Sequence, residues 1–423
     1  MQINIMGGKM LENTKVGESI PYHPFFKLIF DNPPTGIEFV ESYTGQDVKA
    51  FNKFIRKFKN ICIKNGVDRA DVNEFISSRN VKALKTMNAD LPVWCGVVPY
   101  FLGPNDWVVE TEDCWHFFEP WFGNNRNAEA NLETAPCTTI LRCLFEMDNC
   151  KGIITHTKDS LNFIRAVFGN KVLSKSFFCQ QAVKINKRFL KQPIQQNKQE
   201  VRFLFHGSWN HSIFNFLVRG GYDVLHCFDS AYKINNNIRL VFVHDEKKLT
   251  YARDTDDSPN STMVQLAESI KSHPGIEYYG NYISDKKLDE IRQSVDIFLL
   301  PSYRLHSMSC LRSMCLGKPV VCSDGWGFDE YITNWYNGVI CEGNQATHID
   351  DQGIMRETYG NCLGRVQTDL CENVIRAMLT LAESPELRDV MRQNCINEYN
   401  TRYNIKDRNQ VLGQILNKCF QKV

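Results

Sequence analysis

The stretch from Asp296 to Tyr331 limits what this chain can fold into more than any other part of it. Ile297 to Leu300 is a short, unbroken apolar run, the pattern of a strand buried on both faces. Pro301 ends the run and a polar loop follows. Leu311, Met314 and Cys315 stand at i, i+3 and i+4, so the next element is a helix with one apolar face. Gly317 suits the position just past that helix, and Pro319 blocks its continuation. Val320 and Val321 open a second buried strand. Gly325 and Gly327 come next, in a loop where backbone can approach a ligand closely. The whole is a βαβ unit with both loops at carboxyl ends of strands, and open α/β sheets bind ligands there.

At 423 residues the chain is long enough for two domains of about 200 residues each. A net charge of +1 gives no global electrostatic case for nucleic acid. Sixteen cysteines are scattered without a Cys-x-x-Cys pair, which argues against a zinc site. Several lie in apolar runs, where a thiol acts as a small hydrophobe and fits a reducing compartment. The start of the chain lacks the basic, then apolar, pattern of a signal peptide, and no run of 18 apolar residues occurs. The expectation is a cytoplasmic protein.

Residues 1–195 read as a first α/β domain. Strands are predicted at Ile3 to Met6, Ile37 to Val40, Val93 to Val98, Trp107 to Glu110 and Lys151 to His156, with helices at Ile20 to Phe30 and Lys158 to Phe168. Asp47 to Gly66 is an amphipathic helix with Phe51, Phe54, Ile55, Phe58, Ile61 and Cys62 on one side and six Lys or Arg on the other. It reads as a surface helix with a solvated basic face, or as a peripheral contact with an anionic membrane. The Lys- and Gln-rich stretch Lys184 to Gln199 is a linker candidate. Residues 200–400 form the second domain, with strands at Val201 to Phe205, Ile238 to Val243 and Gly275 to Gly280. Its predicted helices include Gly221 to Asp229, Asp285 to Arg292, Leu370 to Leu381 and one opened by Ser384-Pro385-Glu386. Polar Ile349 to Tyr359 is expected to be a surface loop, and the last helix runs from about Lys406 to Phe420.

The Asp-apolar-Pro-Ser run, the helix with its Met, Gly-x-Pro-Val-Val and the Gly-rich loop with Glu330 together resemble the donor-binding half of GT-B glycosyltransferases of the family 4 (group 1) type. The loop Arg304-x-His306-x-x-Ser309, with Ser323-Asp324-Gly325-Trp326-Gly327 after it, resembles a subgroup of these. The resemblance implies two Rossmann-like α/β domains, a last helix that crosses back to the first domain, and transfer of a sugar from a nucleoside-diphosphate sugar to a glycan, lipid-linked or protein-linked acceptor. It further implies retention of anomeric configuration, with no metal and no other cofactor. Two rivals are a GT-B epimerase and a non-catalytic nucleotide-sugar-binding protein.

The same resemblance points to site residues. Arg219 and Gly220, before a helix, suit a diphosphate: Arg forks onto phosphate oxygens and the helix start favours an anion. The plainer reading is an Arg exposed on a turn. Gly207 and Ser208 occupy the preceding strand-end loop. The two glutamates usual in the family fall at Arg304 and Arg312, a departure that gives the loop a cationic character. Arg304 and Arg312 are therefore candidates for the diphosphate or ribose, Arg312 equally for solvent; His306 and Ser309 share the polar cluster, and Arg304, His306 and Glu330 are expected around the donor sugar or diphosphate. Glu330, with Gly325, Trp326 and Gly327, matches the family's glycine-and-glutamate loop. The plainer readings are that Glu330 caps the next helix or loop and that Trp326 is core. Many relatives carry a His-Asp pair after the strand here ending near Glu110. Glu112-Asp113 stand in that place, which makes Glu112 and His116 acceptor-side candidates. Asp254-Thr255-Asp256-Asp257 lies in a polar stretch and is expected to be solvated rather than metal-binding.

Overall fold

A computed structural model describes residues 1–6, 24–40, 48–78, 90–96, 99–118, 121, 132, 134–184, 200–207, 213–251, 260–281, 283–357, 362 and 364–421. Ser208, most of the linker candidate and the Asp254 to Asp257 cluster lie outside them. The chain forms two compact units. One comprises Met1–Ala182, Ile349–Met355 and Asn404–Val423, and the other Val183–His348 and Arg356–Tyr403.

The first unit is built on six parallel strands: β1 (Gln2–Met6), β2 (Glu38–Val40), β3 (Val93–Cys95), β4 (Trp107–Thr111), β5 (Cys150–Thr155) and β6 (Ser176–Phe178), in the order β2-β1-β3-β4-β5-β6. Ile3, Ile5, Trp94, Val108 and Ile154 form one core with Leu412, Ile415 and Leu416 of the last helix, Ile405–Phe420. The amphipathic helix spans Val48–Lys64 and buries Phe51, Phe54, Phe58 and Cys62. Phe58 packs on Phe75 at 5.9 Å, so its apolar side is consumed inside the unit and its basic side faces out. Among the described residues no helix is long and apolar enough to cross a membrane.

The second unit holds β7 (Val201–His206), β8 (Ile238–Val243), β9 (Ile276–Tyr279), β10 (Ile297–Leu300), β11 (Val320–Ser323) and β12 (Gly338–Cys341), in the order β12-β11-β10-β7-β8-β9. All neighbours are parallel, and nearly every strand residue is buried in β7, β8, β10 and β11, as unbroken apolar runs require. Strand order reverses between β7 and β10, where successive crossovers lead to opposite sides and leave a crevice at the carboxyl ends. Ser384 is the N-cap of Pro385–Arg402 and Pro385 takes the first turn, but the Ser384 side chain makes no capping bond.

Ile349 to Tyr359 departs from the expected loop. Thr347–Ile349 and Met355–Glu357 pair as a small two-stranded sheet. Asp350 closes the turn by accepting from the Gln352 and Ile354 amides, both at 2.9 Å, and Gly353 supplies a φ of +80°. Strands this short carry too few alternating positions to show in a sequence. Fifteen of the sixteen cysteines are buried and none is in a disulfide.

Candidate active site

At the switch point of the second unit, the turn Val218–Gly220 is tied to the loop after β10. The Tyr303 amide and the Ser302 hydroxyl both donate to Val218 O, at 2.9 and 3.0 Å. Gly220 has φ +74°, and a Cβ there would stand 2.2 Å from Pro301 O. The glycine is thus required by the packing of this turn against β10, a demand separate from any ligand.

That packing fixes Arg219. It is 4% exposed, not on an open turn. Its Nε donates to His206 O at the end of β7, at 3.3 Å, and its Nη2 donates to Ser309 Oγ at 2.7 Å. Arg219 therefore bridges the carboxyl end of β7 and the first turn of the helix Ser307–Cys315, across the point where strand order reverses. Gly207, next in chain, is buried, and its amide donates to Val243 O at 2.8 Å.

His306 is the N-cap of that helix, without a side-chain cap bond. Burial, then Arg219, then Arg304 hold its pKa well below the usual histidine value, so the ring is neutral at neutral pH. Its Nε2 is shut off from solvent and has no hydrogen-bond partner among the described residues. Arg304 Nη1 lies 3.6 Å from Glu357 Oε1, and Glu357 is fully buried. Arg219, Arg304, His306 and Ser309 are brought together. Arg312 is not: it sits in the last turn of its helix, where it shares the neighbourhood of Cys315 with Arg292 and Asp289.

The glycine loop after β11 locks onto the same wall. A Cβ on Gly325 would stand 2.5 Å from Tyr303 O. Leu305 N donates to Trp326 O at 3.3 Å, and Trp326 Nε1 is a buried donor with no acceptor among the described residues. Gly327 takes φ +85°. Asp324 accepts from the Gly343 and Asn344 amides at 3.2 and 2.9 Å, so its carboxylate holds the loop. Glu330 is half-buried, and its carbonyl accepts from Tyr403 OH at 3.3 Å.

In the first unit, Glu112 and His116 are both half-buried, and the His116 amide donates to Asp113 Oδ1 at 3.2 Å. The sequence did not reveal a neighbouring group. Glu110, on β4 and 1% exposed, accepts from Trp94 Nε1 at 3.1 Å, meets His156 Nε2 at 2.9 Å, and takes a hydrogen bond from Arg408 Nη2. Burial alone would raise its pKa, but Arg408 and His156 outweigh burial and hold it below the usual carboxylate range. Among the described residues no group of three or more His, Cys, Asp or Glu is placed to hold a metal ion.

Residues 219–353 match the family model of glycosyl transferases group 1, a match that starts at Arg219 and takes in Arg304, His306, Ser309 and the glycine loop, with Gly207 and Glu357 outside it. That match covers about a third of the chain and, as far as His348, lies within the second unit. An uncharacterized glycosyltransferase of Methanocaldococcus jannaschii is 31% identical over 104 residues, and the chain spans 26% of that protein's length and is itself covered over 24%. WaaG, a glycosyltransferase involved in lipopolysaccharide biosynthesis, superposes with a TM-score of 0.56 at 11% identity, over 100% of both chains. A UDP-forming α,α-trehalose-phosphate synthase from Burkholderia xenovorans gives 0.54 at 10% identity, over 91% of this chain and 89% of the other. At such identities the likeness establishes the fold: GT-B, two parallel-sheet α/β domains. The cationic wall thus lies at the switch point of the sheet that holds the matched residues.

Proposed function

We propose that this protein is a glycosyltransferase that moves a sugar from a nucleoside-diphosphate sugar to the hydroxyl of a glycan, lipid-linked or protein-linked acceptor. The observation that carries the reading is Arg219, buried at the switch point of a group 1 domain and held at two strand ends, beside Arg304 and a neutral His306 whose Nε2 lacks a partner among the described residues. A diphosphate needs fixed cations and donors in a site with little water, where they act without reorganising. In this reading Arg219 takes the diphosphate with the Gly207 loop, Arg304 assists, and the His306 ring meets the donor sugar. Glu330 accepts from donor hydroxyls, and Glu112 and His116 serve the acceptor. The bond from the anomeric carbon to the diphosphate oxygen breaks and one to the acceptor oxygen forms. The acceptor proton passes to the leaving diphosphate, so no carboxylate nucleophile and no metal is called on, and configuration is retained.

One observation favours a second reading, a binder without turnover. Arg304 and Arg312 stand where the family usually has glutamates, and Arg304 is engaged by buried Glu357. A thermal-shift panel of UDP, GDP, ADP, TDP and CMP separates the possibilities. A shift with one diphosphate, abolished in Arg219→Ala, is the expected result. A shift that survives in the variant removes Arg219 from the donor site. Hydrolysis or transfer of the matching nucleotide sugar then separates an enzyme from a binder.

A further inference from the structure

Trp335 and Tyr336 are neighbours in chain, 43% and 40% exposed, in the turn that leads into β12. Trp335 has φ 58°, the one positive value among the described residues that is not a glycine. An L-residue resists that conformation, and it persists only where the surroundings over-determine it. Here they do. The Thr333 amide donates to Asn337 Oδ1 at 2.8 Å, Ile340 N donates to Asn334 Oδ1 at 3.0 Å, and Trp335 N donates to Gly338 O at 2.7 Å. From the helix Pro385–Arg402, Asn394 Nδ2 donates to Tyr336 O at 2.9 Å, and Cys395 Sγ donates to Asn337 O at 3.1 Å. Buried Asn337 anchors the turn from beneath. The fold therefore holds a strained backbone in place and presents two large rings to water.

The rim states the chemistry of the partner. Thr333 and Asn334 are exposed on the turn, and Gln393, Asn394 and Asn397 lie on the adjoining helix, where Gln393 Nε2 donates to Asn397 Oδ1 at 3.1 Å. These are neutral amides and hydroxyls, which both donate and accept. On the same helix Arg392 pairs with Asp389 and Arg402 with Glu398, each at 2.9 Å, and Arg388 is buried against the Leu381 and Ala382 carbonyls. An anionic lipid or polymer would call for an unpaired basic cluster. Flat apolar rings bordered by neutral amides suit the C–H faces and hydroxyls of an uncharged sugar chain.

We propose that the Trp335–Tyr336 turn is a second, non-catalytic site that holds a neutral glycan. It adjoins the amino end of β12, whereas Arg219 and His306 lie at the carboxyl end of the same sheet. A chain held there is therefore gripped away from the donor wall, as an extended glycan or a polymeric acceptor would be.

The test is direct binding without nucleotide, so its outcome is independent of the Arg219→Ala panel. Wild type, Trp335→Gly and Trp335→Phe are applied to an array of neutral and acidic oligosaccharides and to phosphatidylglycerol vesicles. Wild type is expected to bind neutral oligosaccharides. Trp335→Gly suits the backbone of the turn, so it should keep or raise its melting temperature while affinity falls at least about tenfold; Trp335→Phe should recover most of it. Absence of binding to any neutral oligosaccharide overturns the proposal. So does unchanged binding in Trp335→Gly, binding confined to acidic glycans or vesicles, or sedimentation showing that Trp335 instead joins two copies of the chain.

Discussion

Each unit places a histidine at the carboxyl end of a strand or in the loop after it, and the two sit in opposite surroundings. His156 in the first unit meets the carboxylate of Glu110, itself paired with Arg408 and Trp94. His306 in the second unit stands beside two guanidinium groups, and its Nε2 has no partner among the described residues. In the first arrangement the carboxylate is met by a guanidinium, an imidazole and an indole donor, and the hydrogen bonds converge on one acceptor group. The second is open to an anion or a hydroxyl. A buried carboxylate that gathers its donors maintains a fold, whereas a neutral ring held beside two guanidinium groups in a strand-end crevice marks a place where a ligand is expected.

The strongest way to break this contrast is to strip the first unit of its compensation. Arg408→Met leaves Glu110 buried with only His156 and Trp94, and should cost roughly 3–5 kcal/mol in denaturant unfolding. The sign with pH is specific. In wild type Glu110 has a depressed pKa, so its contribution is present above the ordinary carboxylate range and is lost as pH falls through its lowered value. Without Arg408 burial dominates, the pKa rises, and the deficit of the variant should shrink between pH 7 and pH 4. An equal deficit at both values would mean that Arg408 acts through packing alone; it also stacks over Phe25 at 5.1 Å.

The second unit contains its own structural carboxylate, which sharpens the distinction. Asp223 is fully buried and accepts from Tyr303 OH at 3.2 Å and the Gln367 amide at 3.3 Å. Burial pushes its pKa up to about 6 against those hydrogen bonds. The folded state binds the proton more tightly than the unfolded one, so this group's stabilisation is complete below about pH 4 and is lost as pH rises to about 6. Asp223→Asn removes that slope. Tyr303 OH can turn its hydrogen to Cys362 O, 3.3 Å away, and accept from the new amide. The variant should gain about 3 kcal/mol relative to wild type between pH 4 and pH 7. A constant difference across that range would show that Asp223 stays ionised.

How far the sequence foretold this depends on distance along the chain. Apolar runs such as Ile238–Val243 and Ile297–Leu300, and the periodic Lys158–Phe168, stand in the structure at their predicted bounds, because burial imposes a local pattern. The turn Arg219-Gly220 and the loop Arg304 to Ser309 were visible as polar residues just past such runs. What brings them together, Ser302 and Tyr303 clasping Val218, spans more than 80 residues and left no periodic trace. Glu110 and Arg408 are 298 residues apart. The available hint was that Glu110 and His156 are polar residues at the ends of buried strands, where an ionisable group needs a partner. Glu357 was hidden in the polar stretch read as a loop.

The finest test acts on His306 itself. Its pKa lies below that of an unfolded histidine, so the unfolded chain takes up the proton first as pH falls below about 6.5. Stability from this group is therefore present at neutral pH and drains away on acidification. His306→Gln keeps a neutral polar side chain of similar reach and cannot be protonated. At pH 7.5 it should unfold within about 0.5 kcal/mol of wild type, since the ring's Nε2 has no bond to lose. By pH 5 it should be more stable than wild type by up to about 2 kcal/mol, with the nucleotide-induced thermal shift reduced at both pH values. A large loss at pH 7.5 would make His306 a structural residue like His156, and the contrast between the two units would then rest on Arg219 alone.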